Sequence, residues 1–198
     1  MSQQKKGSRD RKDKSLKNYY ARCLKTLKEW GAPTTGWCCI EVIDIREDDE
    51  EDYETPLFTC ELCGCSKVRY VHVMDNDLYF ETVRVGCICA GCMEDDIFGA
   101  KERERLMRNR SKRRKNFLKR KWDEKGKGVW ERSYKNQELM ILEHSGSFSV
   151  HVGSKVTLKY KGRPINNLLS AMYAAFDLAD PVEEIFVYEG ETDRTKTR

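Results

Sequence analysis

The chain has 198 residues, of which 39% are hydrophobic and 35% are charged, and its formal net charge is +4. This composition favours two small compact units over one large enzyme core. No run approaches the roughly 18 consecutive apolar residues of a membrane span. The first residues are polar and basic, so we expect neither membrane insertion nor secretion, and we expect a cytoplasmic protein.

The charges are segregated along the chain. Residues 41–100 contain four Lys or Arg and sixteen Asp or Glu, whereas residues 101–135 contain sixteen and five. Basic surfaces attract polyanions and acidic surfaces repel them. The sequence therefore predicts a basic surface suited to nucleic acid and a separate acidic surface suited to a different partner.

The first part of the chain predicts a helix followed by three strands. Residues 1–12 have almost nothing to bury and are expected to form a disordered basic tail. From Lys14 to Trp30, apolar residues recur every three or four positions until Gly31, which predicts an amphipathic helix. Alternating and β-branched residues predict strands at 37–45, 68–74 and 79–85, and the acidic run 47–54 is expected to be a solvated loop.

Six of the nine cysteines lie between residues 60 and 92, and four of them form two Cys-x-x-Cys pairs. In a chain expected to be cytoplasmic, clustered thiols favour a metal ion over disulfides. Two such pairs, brought together by the intervening hairpin, suit the tetrahedral arrangement of four thiolates around Zn²⁺. We predict one zinc ion, and its ligands are Cys60, Cys63, Cys89 and Cys92.

Cys65 and Cys87 are surplus to this ligand set. Cys65 could replace Cys63 and Cys87 could replace Cys89, and the two extra thiols also leave a redox or second-metal role open. A zinc ion with four cysteine ligands has no open position for water or substrate. The predicted role of the ion is therefore structural rather than catalytic.

Residues 101–122 contain no Gly or Pro and are rich in Arg, Lys, Glu and Leu. They predict a long basic helix over 101–125, with a domain boundary at Gly126 and Gly128. Like charges on this helix repel one another, and a nucleic-acid backbone would relieve the repulsion and release counterions. A merely solvated helix, or one docked on an acidic protein surface, is the alternative. The candidate nucleic-acid contacts are the cations of the helix: Arg108, Arg110, Lys112, Arg113, Arg114, Lys115, Lys119, Arg120 and Lys121.

Residues 129–188 predict a small domain of three antiparallel strands and one covering helix. The strands are expected at 138–144, 147–152 and 155–160, and the helix is expected from Leu168 to Ala179. Residues 189–198 are expected to be a flexible tail. Alternation puts one set of polar and basic side chains on a single face, where Lys155 and Lys159 join the candidate nucleic-acid contacts. That set is Ser147, Ser149, His151, Lys155, Thr157 and Lys159.

The predicted fold class is α+β. Residues 13–100 are expected to combine the N-terminal helix with a zinc-ribbon-like β module, and the long basic helix follows. The small three-stranded antiparallel sheet with its covering helix completes the chain.

Several short motifs resemble a bacterial and phage-borne zinc-finger family of uncharacterised function. They are Cys60-Glu-Leu-Cys63-Gly64, Val68-Arg69-Tyr70-Val71-His72, Val85-Gly86-Cys87-Ile88-Cys89-Ala90, Met93-Glu94, the Arg-rich helix and Phe176-Asp177. The likeness covers roughly residues 60–180 and implies a zinc site but no established activity. Where the family often has His, this chain has Cys92. Either residue ligates zinc, so the difference supports position 92 as a ligand.

No catalytic pattern accompanies these motifs. His72, His144 and His151 are scattered, and the sequence contains no phosphate-binding glycine loop and no His-Glu-x-x-His helix. We therefore expect a non-enzymatic protein of bacterial or phage origin that zinc stabilises and that binds nucleic acid, DNA rather than RNA, through the basic helix. The alternative is an adaptor or inhibitor of phage type that binds a host protein through the acidic run.

Overall fold

The structure is a computed structural model that describes residues 6–47 and 55–182, with side chains from Ser15 onward. These residues form four helices and antiparallel sheets, which confirms the α+β class. They separate into two compact units, Met1–Arg108 and Asn109–Arg198, called unit 1 and unit 2 below. Residues 48–54 of the acidic run and the whole predicted tail 189–198 lie outside the described residues.

Unit 1 begins with helix α1, Lys6–Glu29. The helix ends at Glu29, one residue before the predicted Trp30, and the expected Gly31 follows with a φ of +69° that suits glycine. The N–H groups of Gly31 and Ala32 donate to the carbonyls of Lys28 and Leu27. The helix starts earlier than the apolar periodicity predicts, so the expected disordered tail 1–12 is helical from Lys6 onward. Lys and Arg are good helix formers, and adding a turn to an existing helix costs far less than nucleating one.

A three-stranded antiparallel sheet follows α1. It consists of β1 (Cys38–Asp44), β2 (Tyr70–Asp75) and β3 (Val83–Val85), with β2 in the centre. The first five residues of β2 are buried, and His72 lies among them, paired with Val42 and Val85. Strand β3 is shorter than the predicted 79–85 because Asn76 begins a turn. Its side chain accepts from the Leu78 N–H and its carbonyl accepts from the Tyr79 N–H.

Two helices follow β3. Helix α2, Cys87–Glu94, was not predicted, and it ends at Asp95, whose φ is +59°. Helix α3, Ile97–Lys119, begins and ends earlier than the predicted 101–125. The division between the two units falls inside α3 rather than at Gly126. No helix in the described ranges is long and apolar enough to cross a bilayer.

Unit 2 contains a five-stranded antiparallel meander instead of the three strands predicted. Its strands, in chain and spatial order, are β4 (Asp123–Gly126), β5 (Val129–Tyr134), β6 (Gln137–His144), β7 (Ser147–Val152) and β8 (Lys155–Thr157). A separate ribbon pairs β9 (Lys159–Tyr160) with β10 (Arg163–Pro164). Helix α4, Leu168–Ala179, has the predicted bounds, and the Asn167 side chain caps it by accepting from the Ser170 N–H.

The prediction that one face of this sheet is polar and basic is wrong, because the register of β8 divides the predicted residues between the two faces. Val152 pairs with Lys155 and His151 pairs with Val156 across the turn at Gly153, whose φ is +56°. Residues paired directly across strands share a face, so Lys155 and Thr157 lie on the side of Val150 and Val152. The face of His151 carries Val156 instead, and Lys159 belongs to the separate ribbon.

Candidate metal centres and the basic helix

The first cysteine pair lies in a tight turn that an isolated bridge between Phe58 and Val68 closes. The Cys60 N–H donates to the Cys65 carbonyl at 2.8 Å, and the Gly64 N–H donates to the Cys60 carbonyl at 2.8 Å. Gly64 has a φ of +70°, which an L side chain rarely adopts. The backbone N–H of Gly86 points at the Cys60 sulfur from 3.4 Å, so this sulfur is held in place by hydrogen bonds.

The second pair lies on α2, where Cys89 and Cys92 are three residues apart and therefore share a face of the helix. Both are 1% exposed. Helix α2 presents Cys89 to the first pair, and the sulfurs of Cys60, Cys63 and Cys89 lie within 4.8 Å of one another. Three of the four predicted ligands are thus close enough to hold one metal ion.

One distance in this cluster matches metal geometry closely. Two thiolates on a tetrahedral zinc, each about 2.3 Å from the ion, lie roughly 3.8 Å apart. The sulfurs of Cys60 and Cys89 lie 3.6 Å apart. The hydrogen bond from the Cys60 thiol to the Cys89 sulfur, together with burial, raises the pKa of the Cys60 thiol. A cation between the two sulfurs would reverse that shift and hold them as thiolates.

Cys92, the fourth predicted ligand, lies outside that group of three and contacts Cys23 of α1 instead. A hydrogen bond with Cys23 lowers the pKa of Cys92. Hydrogen bonding to Cys89 lowers the pKa of Cys23, but its bond with Cys92 and its burial outweigh this and raise that pKa to about 12. Cys23 is therefore a neutral thiol that can donate to its neighbours. In the sequence, Cys23 is only one member of the apolar stripe of α1, with no pattern that marks it as a neighbour of the cluster.

Tyr19 of α1 also contacts the sulfur cluster. Its hydroxyl oxygen lies 2.9 Å from the Cys89 sulfur. Burial, and hydrogen bonds with Cys63 and Cys89, raise the pKa of the Tyr19 hydroxyl, so it stays protonated and can donate to both sulfurs. The three-residue and four-residue steps of α1 bring Tyr19 and Cys23 to one face, which was the only signal in the sequence for this role.

The two surplus cysteines, Cys65 and Cys87, have different surroundings in the structure. Cys65 is exposed, and its sulfur belongs to neither group of candidate ligands among the described residues. Cys87 points to a different group, in which its sulfur, a ring nitrogen of His72 and a carboxylate oxygen of Glu104 lie within 4.8 Å of one another. The geometry therefore favours Cys63 over Cys65 and Cys89 over Cys87 as ligands of the first cluster.

In unit 2, α3 buries two of the arginines that were expected to face solvent. Arg110 is 2% exposed and Arg114 is 1% exposed. Arg110 donates to the Asp180 carbonyl at 2.8 Å and to Asp177 at 2.7 Å, and its guanidinium lies over the Phe176 ring. Arg114 donates to the Tyr160 hydroxyl at 2.7 Å and lies over the Tyr173 ring at 4.2 Å. Both side chains are packed inside unit 2 and do not face a nucleic acid.

Asp180, just after α4, gathers three further groups. Arg113 donates to both of its carboxylate oxygens, at 2.6 and 2.9 Å, and Lys135 and Tyr134 donate to it at 3.1 and 3.0 Å. The planar guanidinium matches a carboxylate in this two-bond geometry. Asp177 lies in the last turn of α4 and Asp180 caps its C-terminal end, where the negative end of the helix dipole also favours the arginine cations. The spacing of Arg110, Arg113 and Arg114 on α3 therefore reflects internal pairing with Asp177 and Asp180.

The remaining predicted nucleic-acid contacts differ in exposure. Arg108 is exposed but donates to Glu104 at 2.5 Å and lies over the Tyr70 ring. Lys112 and Lys119 are exposed on the side of α3 opposite Arg114, with Lys115 half-buried between them. Among the residues that the structure describes, Lys112 and Lys119 have no acidic partner. The other candidates, all exposed, are Arg120, Lys121, Lys155 and Lys159.

The outer face of the unit 2 sheet is not basic. Register puts Asp123, Glu131, Met140, His151 and Val156 in one row across it. A depression of about 350 Å³ on this face is lined by acids as well as cations, among them Asp123, Lys125, Glu131, Glu138 and His151. This mixed surface gives no support to DNA binding through the sheet.

No family model, curated protein or solved structure matches this chain. The likeness to a zinc-finger family therefore stays a prediction.

Proposed function

We propose that the protein is a non-enzymatic, zinc-stabilised nucleic-acid-binding protein. In this proposal a zinc-ribbon-like module holds one Zn²⁺ through Cys60, Cys63, Cys89 and Cys92. The observation that carries it is the group of three sulfurs from Cys60, Cys63 and Cys89, drawn from a loop and a helix that are far apart in the sequence.

The donor set favours zinc over harder cations. Thiolates are soft ligands that select zinc or iron–sulfur chemistry rather than magnesium or calcium. Cys92 completes the set because it shares a helix face with Cys89 and because its bond with Cys23 stabilises the thiolate. Four thiolates leave no position for substrate, so the ion would join the loop to α2, and Tyr19 and Cys23 would support the sulfurs from α1.

The nucleic-acid part of the proposal rests on the outward side of α3. Lys112, Lys115 and Lys119 recur at three-residue and four-residue steps, so they line one face. The buried arginines are paired within unit 2 and act as an anchor for this part of the helix. Lysines spaced along a helix suit successive phosphates of a polyanion, with the salt dependence that counterion release produces.

Two exposed cysteines of one loop test the zinc site. Cys63→Ser should lose zinc, because its sulfur lies with those of Cys60 and Cys89. Cys65→Ser, the matched control, should keep zinc. Elemental analysis of the two purified variants decides between them, and equal zinc content, or loss only in the Cys65 variant, would contradict the ligand set.

A charge-matched pair of triple variants tests nucleic-acid binding. Lys112, Lys115 and Lys119 are replaced with Gln in one variant, and the exposed Lys17, Lys25 and Lys28 of α1 in the other. Fluorescence anisotropy with a labelled DNA duplex across a salt series should show weaker binding for the first variant. Its slope of log affinity against log salt should be shallower by roughly 0.9 for each phosphate that the variant no longer neutralises.

The control variant should bind DNA as the parent does. Parental affinity and slope in the α3 variant would contradict the proposal. If the parent chain does not bind DNA measurably, the alternative remains, which is an adaptor that binds a host protein through the acidic run. Neutralising Asp48, Asp49, Glu50 and Glu51 would then test that alternative.

A further inference from the structure

A second group of metal-binding side chains lies in unit 1, separate from the first sulfur cluster. It combines His72 at the centre of the sheet, Cys87 at the start of α2 and Glu104 on α3. A ring nitrogen, a sulfur and a carboxylate oxygen from these residues lie within 4.8 Å of one another. We propose that these three side chains bind a divalent transition-metal ion.

His72 is the strongest indication of a ligand. Its side chain is 0% exposed, and its Nε2 atom has no hydrogen-bond partner. The other ring nitrogen, Nδ1, lies 3.7 Å from the Cys39 sulfur. A buried polar atom without a partner costs free energy, and buried polar groups in native proteins are almost always paired. A metal ion bound at Nε2 would remove that cost, with Cys39 fixing the ring from the other side.

The carboxylate of Glu104 is already oriented by its neighbours. Arg108 donates to one of its oxygens at 2.5 Å, and the Cys87 thiol is hydrogen-bonded to the carboxylate. Metal binding would displace the proton of the Cys87 thiol and leave a thiolate beside the Glu104 carboxylate. Without metal, that proton takes the place of the ion between the two groups. Arg103, Arg108 and Lys101 are nearby cations that oppose a metal. Pairing with Glu94 offsets the charge of Arg103, and pairing with Glu104 offsets that of Arg108.

The ligand chemistry limits the kind of ion. Imidazole, thiolate and carboxylate together suit borderline ions such as Zn²⁺, Co²⁺ and Fe²⁺ rather than Mg²⁺ or Ca²⁺. Three protein ligands leave a fourth position open for water or another small ligand, unlike the closed four-cysteine site. The metal ion of the second site would therefore be the exchangeable one, and the metal ion of the four-cysteine site would be the permanent one.

Cobalt is a direct probe, because Co²⁺ replaces zinc and its visible and ultraviolet bands report the geometry and the thiolate ligands. Metal-free full-length protein is titrated with Co²⁺ under reducing conditions, and native mass spectrometry counts the bound ions. The parent chain should bind two ions. Cys87→Ala and Glu104→Gln should bind one, with circular dichroism spectra like that of the parent.

Two matched controls accompany these variants. Cys65→Ala removes an exposed thiol outside both groups, and Glu102→Gln removes an exposed carboxylate of α3 that pairs with Arg105. Both should still bind two ions. His72→Gln, which replaces the imidazole with a polar amide in the buried position, should also lose one ion.

The outcomes distinguish this site from the four-cysteine site. Cys63→Ser should lose an ion while keeping the one that depends on Cys87, and failure of that variant to lose metal would count against the first site alone. The second site would be overturned if the Cys87 and Glu104 variants bound as many ions as the parent, with parental affinity. It would also be overturned if the parent bound a single ion that only the Cys63 variant lost.

Discussion

The Tyr19 hydroxyl connects α1 to the sulfur cluster, 2.9 Å from the Cys89 sulfur. Outer hydrogen bonds of this kind orient metal ligands and tune their affinity, and losing one typically lowers metal affinity about 10- to 100-fold. We therefore expect Tyr19→Phe to weaken zinc binding by about 10-fold or more without unfolding unit 1. Competition with a chromophoric chelator measures the affinity.

Tyr79→Phe is the control for this change, because Tyr79 packs against the Trp37 ring in unit 1 and does not belong to the sulfur cluster. Its zinc affinity should equal that of the parent. A Tyr19→Phe variant with parental zinc affinity would mean that α1 packs beside the cluster without supporting it.

Asp180 gives a residue-scale prediction about pH. Burial raises the pKa of its carboxyl, but hydrogen bonds from Arg113 and Lys135 and their charges outweigh burial and hold that pKa below its ordinary value. A carboxylate whose pKa is lower in the folded protein stabilises it above the unfolded pKa of about 3.9, and this stabilisation is lost as pH falls through the folded pKa. Unit 2 should therefore lose stability below about pH 4.

Asp180→Asn should lower the stability of unit 2 at neutral pH and flatten its loss of stability below about pH 4. Urea unfolding followed by the methyl NMR signals of Val150 and Ile165, both buried in unit 2, measures this. Asp123→Asn, at an exposed position, should behave like the parent. An Asp180 variant with the parental pH profile would show that the ion pairs with Arg113 and Lys135 add nothing to stability.

At the scale of elements, α2 depends on close approach at Gly91. A Cβ there would lie 2.6 Å from the Cα of Ile97, at the start of α3. Backbone cannot yield as a flexible side chain can, so we expect Gly91→Ala to destabilise unit 1 by about 1–3 kcal/mol and to weaken metal binding.

Gly126→Ala is the matched control, because a Cβ at that position meets nothing within 4 Å. Differential scanning fluorimetry of the metal-loaded proteins should show a lower melting temperature for the Gly91 variant alone. Equal melting temperatures would mean that α2 and α3 shift apart at little cost.

The elements that the sequence predicted well have either one apolar stripe or a run of β-branched residues. Helix α4 has its predicted bounds because its apolar stripe ends before Pro181, and β1 and β2 follow from their β-branched runs. The sequence did not predict helix α2, because its eight residues include three cysteines and lack a polar face that would reveal a helical period. Strand β5 was missed because Arg132 occupies a core-facing position, where it lies over the Phe117 ring at 4.3 Å.

Site prediction from sequence was better for the cysteines than for the arginines. Spacing alone brought out Cys60, Cys63 and Cys89, because the chemistry of a metal site restricts which residue types can serve as its ligands. An arginine suits a phosphate and a buried carboxylate equally well. Only the fold reveals that Asp177 and Asp180 are the partners of Arg110 and Arg113.

For the whole molecule, segregated charge is a poor guide to function by itself. The basic block 101–135 contains internal ion pairs at Arg103, Arg105, Arg108, Arg110 and Arg113. The cations left for a partner are mostly lysines, and they define a narrower surface than the sequence predicted. In the proposed function, nucleic-acid binding depends on this narrower surface.

The central claim is that a bound zinc ion organises unit 1, and the most direct test is the metal content of the purified full-length chain. Inductively coupled plasma mass spectrometry should find one zinc per chain after removal of loosely bound metal, and two when the second site is also filled. Removal of the permanent ion by a strong chelator under reducing conditions should unfold residues about 55–98. A folded, chelator-resistant chain that contains no transition metal would contradict the account.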